Sequence, residues 1–208
     1  METHFIINIG RQFGSGGRLI GEKLASKLGV AYYDKELIDI ASKESGLGAE
    51  FFEQADEKKH FSLLGFLGFQ SGINEDGFSN NYLSNETLFK IQSDVIRELA
   101  EKQSCVFVGR CADYILREHQ NCINIFITAN TEDRIKRVAE RQSELPKEKI
   151  KDLLEKTDKK RAGYYNYYTN KTWGAAKSYD LCINSSLLDI ERTVSFLNTL
   201  IREKLSLK

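Results

Sequence analysis

Phe5-Ile6-Ile7-Asn8-Ile9-Gly10-Arg11-Gln12-Phe13-Gly14-Ser15-Gly16-Gly17-Arg18 joins an apolar run to a glycine-rich turn, and the helical pattern Leu19, Ile20, Leu24, Ala25, Leu28 follows. This strand, loop and helix order is one that cradles phosphates. Glycines let backbone N–H groups approach an anion without side-chain obstruction, and the helix adds its positive N-terminal end. A standard phosphate loop reads GxxxxGK followed by Ser or Thr. Here Gly17, Arg18 and Leu19 follow Gly16, so the usual lysine and the usual magnesium-binding hydroxyl are both absent.

Working outward, Phe5 to Ile9 reads as a strand of a parallel sheet covered on both faces. Gly29 is a natural helix stop. Val30 to Tyr33 reads as a second strand ending on Asp34, at the sheet edge where open α/β sheets bind ligands. Lys35 to Glu44 reads as a helix. Leu88, Ile91, Val95, Ile96 and Leu99 define an amphipathic helix leading into the strand Cys105 to Val108. Ile123 to Thr128 is the next strand, followed by a helix from Thr131. Lys147 to Lys160 is helical after Pro146, Asp180 to Asn184 is a last strand, and Ile190 to Leu205 closes the chain as a long helix with Ser186 as its N-cap. Five short buried strands separated by helices predict a parallel sheet with helices on both faces.

Between about Gly48 and Asn85 the pattern changes to irregular phenylalanines and glycines. A loop this long is uncommon in a compact domain. It reads as a lid or substrate-binding insert, or as a surface excursion whose phenylalanines pack on the core or on a second copy of the chain.

Composition narrows the class. The 208 residues suit one α/β domain, and 30 basic residues balance 30 acidic ones, which points away from nucleic acid and membrane surfaces as partners. Cys105, Cys111, Cys122 and Cys182 show no CxxC pairing and read as free thiols of a cytoplasmic protein, with Cys105 and Cys182 inside apolar runs. His4, His60 and His119 have no metal-ligand spacing. No apolar run reaches the length of a membrane helix.

At the predicted sheet edge the loop, Asp34, and Arg110 with Asp113 converge. Arg110 offers a planar fork to a phosphate, or forms a structural ion pair. Asp34 binds ligand or caps the next helix. The charge run Lys147 to Arg161 is in part a solvated helix face, but Asp158 and Arg161 lie three apart, where acid and guanidinium reach one ligand. Tyr164, Tyr165, Tyr167 and Tyr168 follow as an aromatic cluster suited to packing between lid and core.

The segments IGRQFGSGG, YYDKELID, VFVGRCADYIL, IFITANTEDRIKRV, DKKRAGYYNYY and YDLCINSS, in this order, resemble the cytidylate kinase-like family, relatives of the bacterial cytidylate kinases among the P-loop nucleoside monophosphate kinases. The resemblance spans nearly the whole chain. It implies a single P-loop kinase-like domain over residues 1–208, a three-layer α/β/α fold on a five-stranded parallel sheet, with a monophosphate-binding insert at about 48–85 and a lid at about 146–161. It implies ATP and Mg2+ as cofactors, with Gly14, Ser15, Gly16 and Gly17 on the donor phosphates. Asp34, Arg110, Asp158 and Arg161 match acceptor-contacting positions, and Lys90 stands where a further acceptor arginine is expected.

Gly17 stands in place of the phosphate-bridging lysine, Leu19 in place of the magnesium hydroxyl, and Cys111 in place of the GRD aspartate. Arg11 or Arg18 then replaces the lysine's charge, Arg161 assists transfer, and Asp113 replaces the missing acid near the metal. The implied activity is ATP-dependent phosphoryl transfer to a nucleoside monophosphate, CMP or dCMP first. A nucleotide-binding module without kinase activity, or a kinase with a small non-nucleotide acceptor, are the alternatives.

Overall fold

The computed structural model describes residues 4–44, 78–142 and 144–206. The expected insert at about 48–85 lies largely outside the described residues. The chain divides into two compact units, one of residues 1–35 with 99–208 and one of residues 36–98.

The first unit is built on five parallel strands: β1 (Ile6–Arg11), β2 (Ala31–Tyr33), β3 (Cys105–Val108), β4 (Cys122–Thr128) and β5 (Leu181–Asn184). Their order is β2-β3-β1-β4-β5, so the strand that opens into the glycine loop sits at the centre. Its neighbours pair in parallel, with Ile9 opposite Val108 on one side and Ile125 on the other. Helix α1 (Gly17–Leu28) follows the loop and ends at Gly29, whose φ of 69° is the left-handed turn that glycine accepts readily.

On one face of the sheet, Ile7, Ile9, Val106, Val108, Ile125 and Ile127 pack with Ile20 and Leu24 of α1. Val194, Leu197 and Ile201 of the closing helix α7 (Ser185–Leu205) complete this core. On the other face Tyr33 stacks on Phe107 with ring centres 5.4 Å apart, and Trp173 and Tyr179 pack on Phe126. The short helix α4 (Ala112–Ile115) follows β3, while α5 (Thr131–Arg141) and α6 (Lys147–Thr169) follow β4. Val138 of α5 packs against Ile150 and Leu154 of α6.

The second unit holds α2 (Lys35–Glu44) from Glu36 onward and α3 (Phe78–Lys102) as far as Glu98. Gln92 Nε2 donates to Asp39 Oδ1 at 2.8 Å, which ties the two helices. Lys90, the expected acceptor contact, is an exposed residue of α3 in this unit.

Several local expectations are corrected. The expected buried character holds for the three inner strands, whereas β2 and β5 are the sheet's edges and are only partly covered. Cys182 is exposed for that reason, although it lies in an apolar run. The apolar β1 contains one buried amide, Asn8, which donates to Asn124 on β4 at 2.9 Å. Ser186 does not cap the last helix: Asn184 accepts from the Ser186 N–H at 2.9 Å, and the helix is interrupted at Asp189. Asp189 sits at φ 55° and ψ −178°, and its Oδ1 accepts from Arg192 N at 2.9 Å, so it acts as the cap of the helix beyond the break. The segment expected as a lid, about 146–161, falls within α6, which runs unbroken from Lys147 through the tyrosine cluster to Thr169. Among the described residues no helix is long and apolar enough to cross a membrane.

Candidate active site at the glycine loop

The carbonyls of loop residues 12–15 accept hydrogen bonds from within the loop and from outside it. Ser15 Oγ donates to Gln12 O at 2.8 Å, Arg134 Nε to Phe13 O at 2.7 Å, and Arg137 Nη1 to Gly14 O at 3.4 Å. Ser185 Oγ donates to Ser15 O at 2.7 Å, and Arg137 also reaches that hydroxyl at 3.2 Å. In a trans peptide the carbonyl and the following N–H point opposite ways. Tying Phe13 O and Ser15 O therefore turns the N–H groups of Gly14 and Gly16 to the other side, and both glycines have positive φ, 77° and 80°. The four-amide cradle expected over Gly14 to Gly17 is narrower in this structure. Ser15 N donates back to Gln12 O, and Gly17 N donates to Ser15 Oγ, each at 3.3 Å.

Asp158 and Arg161, read together as ligand contacts, part company. One Asp158 oxygen accepts from Phe13 N at 2.7 Å and the other pairs with Arg134 Nη2 at 2.5 Å. Both oxygens are engaged within the protein, so Asp158 fixes the loop to α5 and α6. Arg161 Nη1 donates to Arg11 O at 3.2 Å, and its guanidinium lies 5.5 Å from the Phe13 ring centre. Burial lowers the Arg161 pKa and the Arg134 charge adds to that, with Asp158 opposing.

Arg11 leaves the end of β1 and crosses to β3. A Cβ built on Gly109 falls 2.2 Å from Arg11 Nη1, which places the Arg11 head at the end of β3 beside Arg110. Burial, then the Arg161 charge, with Arg110 adding less, push Arg11 from 12.5 down to about 9, while Tyr32 and Asp34 oppose. Gly109, Arg110 and Cys111 take positive φ in succession, at 86°, 57° and 56°. Two non-glycine residues in the left-handed region carry strain of order 1 kcal/mol or more each. That turn presents Arg110 over the Tyr164 ring, 5.9 Å from its centre.

Arg18, the other candidate for the missing lysine's charge, has its Nη2 2.8 Å from Asp34 Oδ2. Asp34 is buried at the end of β2, as its position in sequence implies, and Tyr32 also donates to it at 3.4 Å. The loop, Arg11, Arg110 and Arg161 are thus brought together, and Arg18 with Asp34 forms a neighbouring pair.

Asp113 is the acid expected near the metal. Its Oδ2 accepts from Tyr165 OH at 2.7 Å, and the residue is buried. Among the described residues no cluster of three His, Cys, Asp or Glu side chains could hold a metal ion, and Leu19 offers no hydroxyl. A protein-built magnesium cage therefore does not fit these residues.

Burial raises the Asp113 pKa above its ordinary 3.8, against the Tyr165 hydrogen bond and the Lys171 charge that lower it. A carboxyl whose folded pKa is raised binds its proton better in the fold, so its contribution to stability falls as pH rises from 3.8 through the folded value. Asp113→Asn should remove this component: the stability of the wild type relative to the variant declines across that window and then levels. A denaturant series at several pH values checks the sign, and a relative stability that rises with pH would contradict it.

Sequence reading missed Arg134, Arg137 and Ser185. Arg134 had a signal, since it stands one helical turn before the buried Val138 and so shares its inward face.

The parallel sheet with a glycine loop between its central strand and first helix is the architecture of the P-loop kinase class. A solved structure of an uncharacterized protein from Eubacterium ventriosum is 30% identical at a TM-score of 0.72, covering 95% of this chain and 98% of its own. A model of the cytidylate kinase-like family matches residues 6–187, and the chain belongs to that family. Shikimate kinase from Bacteroides thetaiotaomicron shares the fold at 15% identity and a TM-score of 0.54, covering 98% of this chain and 99% of that one. Shikimate kinase from Acinetobacter baumannii, solved with shikimate, does so at 17% and 0.50, covering 100% and 97%. No curated protein matches the chain.

Proposed function

We propose that the protein transfers a phosphoryl group from ATP to a nucleoside monophosphate, with CMP or dCMP as the leading acceptor. The observation that carries this reading is the gathering of Arg11, Arg110 and Arg161 beside the glycine loop. Burial strips Arg11 of hydration, and the charges of Arg161 and Arg110 repel it. A polyphosphate offsets both costs, since each guanidinium can donate in a bidentate fork to phosphate oxygens.

Phosphoryl transfer asks the protein for positioning and charge stabilisation more than for covalent chemistry. In this reading the Gly14 and Gly16 amides meet donor phosphates, while Arg110 and Arg161 draw the acceptor phosphate into line. Magnesium arrives with ATP, held by phosphates and water. The cytidylate kinase-like family membership supports the nucleotide acceptor.

A coupled assay for ADP, with purified protein, ATP, magnesium and each nucleoside monophosphate in turn, tests the proposal. Acceptor-dependent ADP formation with CMP or dCMP is expected. ATP binding without ADP formation from any acceptor makes the protein a binding module. Turnover only with non-nucleotide compounds moves it to the small-molecule kinases.

A further inference from the structure

We propose that Arg11 takes over the work of the phosphate-loop lysine, and that Gly17 is glycine because the Arg11 stem occupies the space a side chain there would need. This rests on the phosphoryl-transfer reading above. Gly17 is the first residue of α1, in ordinary helical backbone, so conformation does not call for glycine. Space does: a Cβ built on Gly17 falls 2.5 Å from Arg11 Cβ and 3.0 Å from Arg11 Cγ, with Ile127 Cβ at 3.3 Å. The Arg11 Cβ is fixed to the backbone of β1 and cannot swing aside, unlike the tip of a long side chain. A lysine at this position and the observed Arg11 stem therefore exclude each other.

The far end of Arg11 completes the exchange. Its guanidinium lies at Gly109, next to Arg110, so the side chain runs from the N-terminus of the loop helix to the arginine on the acceptor side. A cation spanning that interval lies where the phosphoryl group passes. Arg18 does not serve, because its guanidinium is drawn to Asp34 at 2.8 Å.

In the transfer, an acceptor phosphate oxygen forms the new bond to the γ-phosphorus. The bond from that phosphorus to the β–γ bridging oxygen breaks, and its electron pair leaves with ADP. Arg11 keeps its proton throughout and donates to oxygens whose charge grows.

Six variants test the exchange: Gly17→Ala, Arg11→Gly, Arg11→Met, Gly17→Ala combined with each of these two Arg11 changes, and the double change Arg11→Gly with Gly17→Lys. Thermal unfolding reads the packing and calorimetric titration with ATP reads the charge. Gly17→Ala should lower the melting temperature of the wild type. It should lower it by less than half as much in the Arg11→Gly background, where the Arg11 Cβ and Cγ are both gone and only the Ile127 contact remains. Arg11→Met keeps the stem, so Gly17→Ala should stay costly there, while ATP affinity falls tenfold or more in both Arg11 variants. The double variant carrying Gly17→Lys should regain ATP affinity over Arg11→Gly alone.

An equal cost of Gly17→Ala in every background, or ATP affinity unchanged in Arg11→Met, overturns the inference even if the wild type is an active kinase. A wild type that binds no ATP overturns the phosphoryl-transfer reading itself, and the assignment of Arg11 with it.

Discussion

Arg161→Ala should reduce kcat by roughly a hundredfold or more while leaving the fold in place, because the interaction it supplies belongs to the charge that develops during transfer. Arg161 adds little to the resting protein. Its one backbone hydrogen bond, to Arg11 O at 3.2 Å, is worth about 1 kcal/mol. The attraction of Asp158 adds to that, while burial and the charges of Arg134 and Arg11 oppose it. The two effects oppose one another, so the melting temperature should move little. Arg161→Lys keeps the charge and loses the planar fork, and should recover only part of the rate. Steady-state kinetics with a melting curve for each variant check this. Unchanged turnover in Arg161→Ala removes the residue from the mechanism.

Asp158→Ala should have the largest effect on stability, about 3–5 kcal/mol, by leaving the Arg134 charge buried without its partner. The Arg134 side chain is only 9% exposed and the Asp158 side chain 16%, so water cannot replace what is lost. The Phe13 N–H loses its acceptor as well, since Asp158 Oδ1 takes it at 2.7 Å. For a chain of this size the melting temperature should fall by about 6–20 °C. Replacing Arg134 and Asp158 together should cost less than the sum of the two single changes, as for any pair in direct contact. A loss below about 1 kcal/mol in Asp158→Ala would show that the pair is not a support of the loop.

The different outcomes for Asp158 and Arg161 show where sequence reading reaches and where it stops. Their spacing of three places both on one face of α6, and the structure has both at the loop. Which group each one meets depends on Arg134, contributed by α5, and nothing in the DKKR segment announces it. The loop's other supports, Arg137 and Ser185, also lie more than a hundred residues beyond it.

By contrast β1, its glycine turn and α1 were legible because they are local. A buried apolar strand, a positive-φ turn and an amphipathic helix each leave their mark within a few residues. Edge position in the sheet is not local, which is why β5 and Cys182 read as buried and stand partly in solvent. The choice between Arg11 and Arg18 was open in sequence because both are close to Gly17. The proposal for Arg11 rests on a 2.5 Å approach to Arg11 Cβ and on the pairing of Arg18 with Asp34, neither of which spacing can express.

Phosphorus NMR of the purified protein with ATP, magnesium and CMP follows the γ-phosphoryl group itself. The account predicts that the γ resonance of ATP declines while the two phosphorus resonances of CDP appear in equal amount, with no inorganic phosphate. Shifted ATP resonances that persist without product for CMP or any other nucleoside monophosphate would contradict it, and would leave the arginine cluster as a nucleotide-binding site alone.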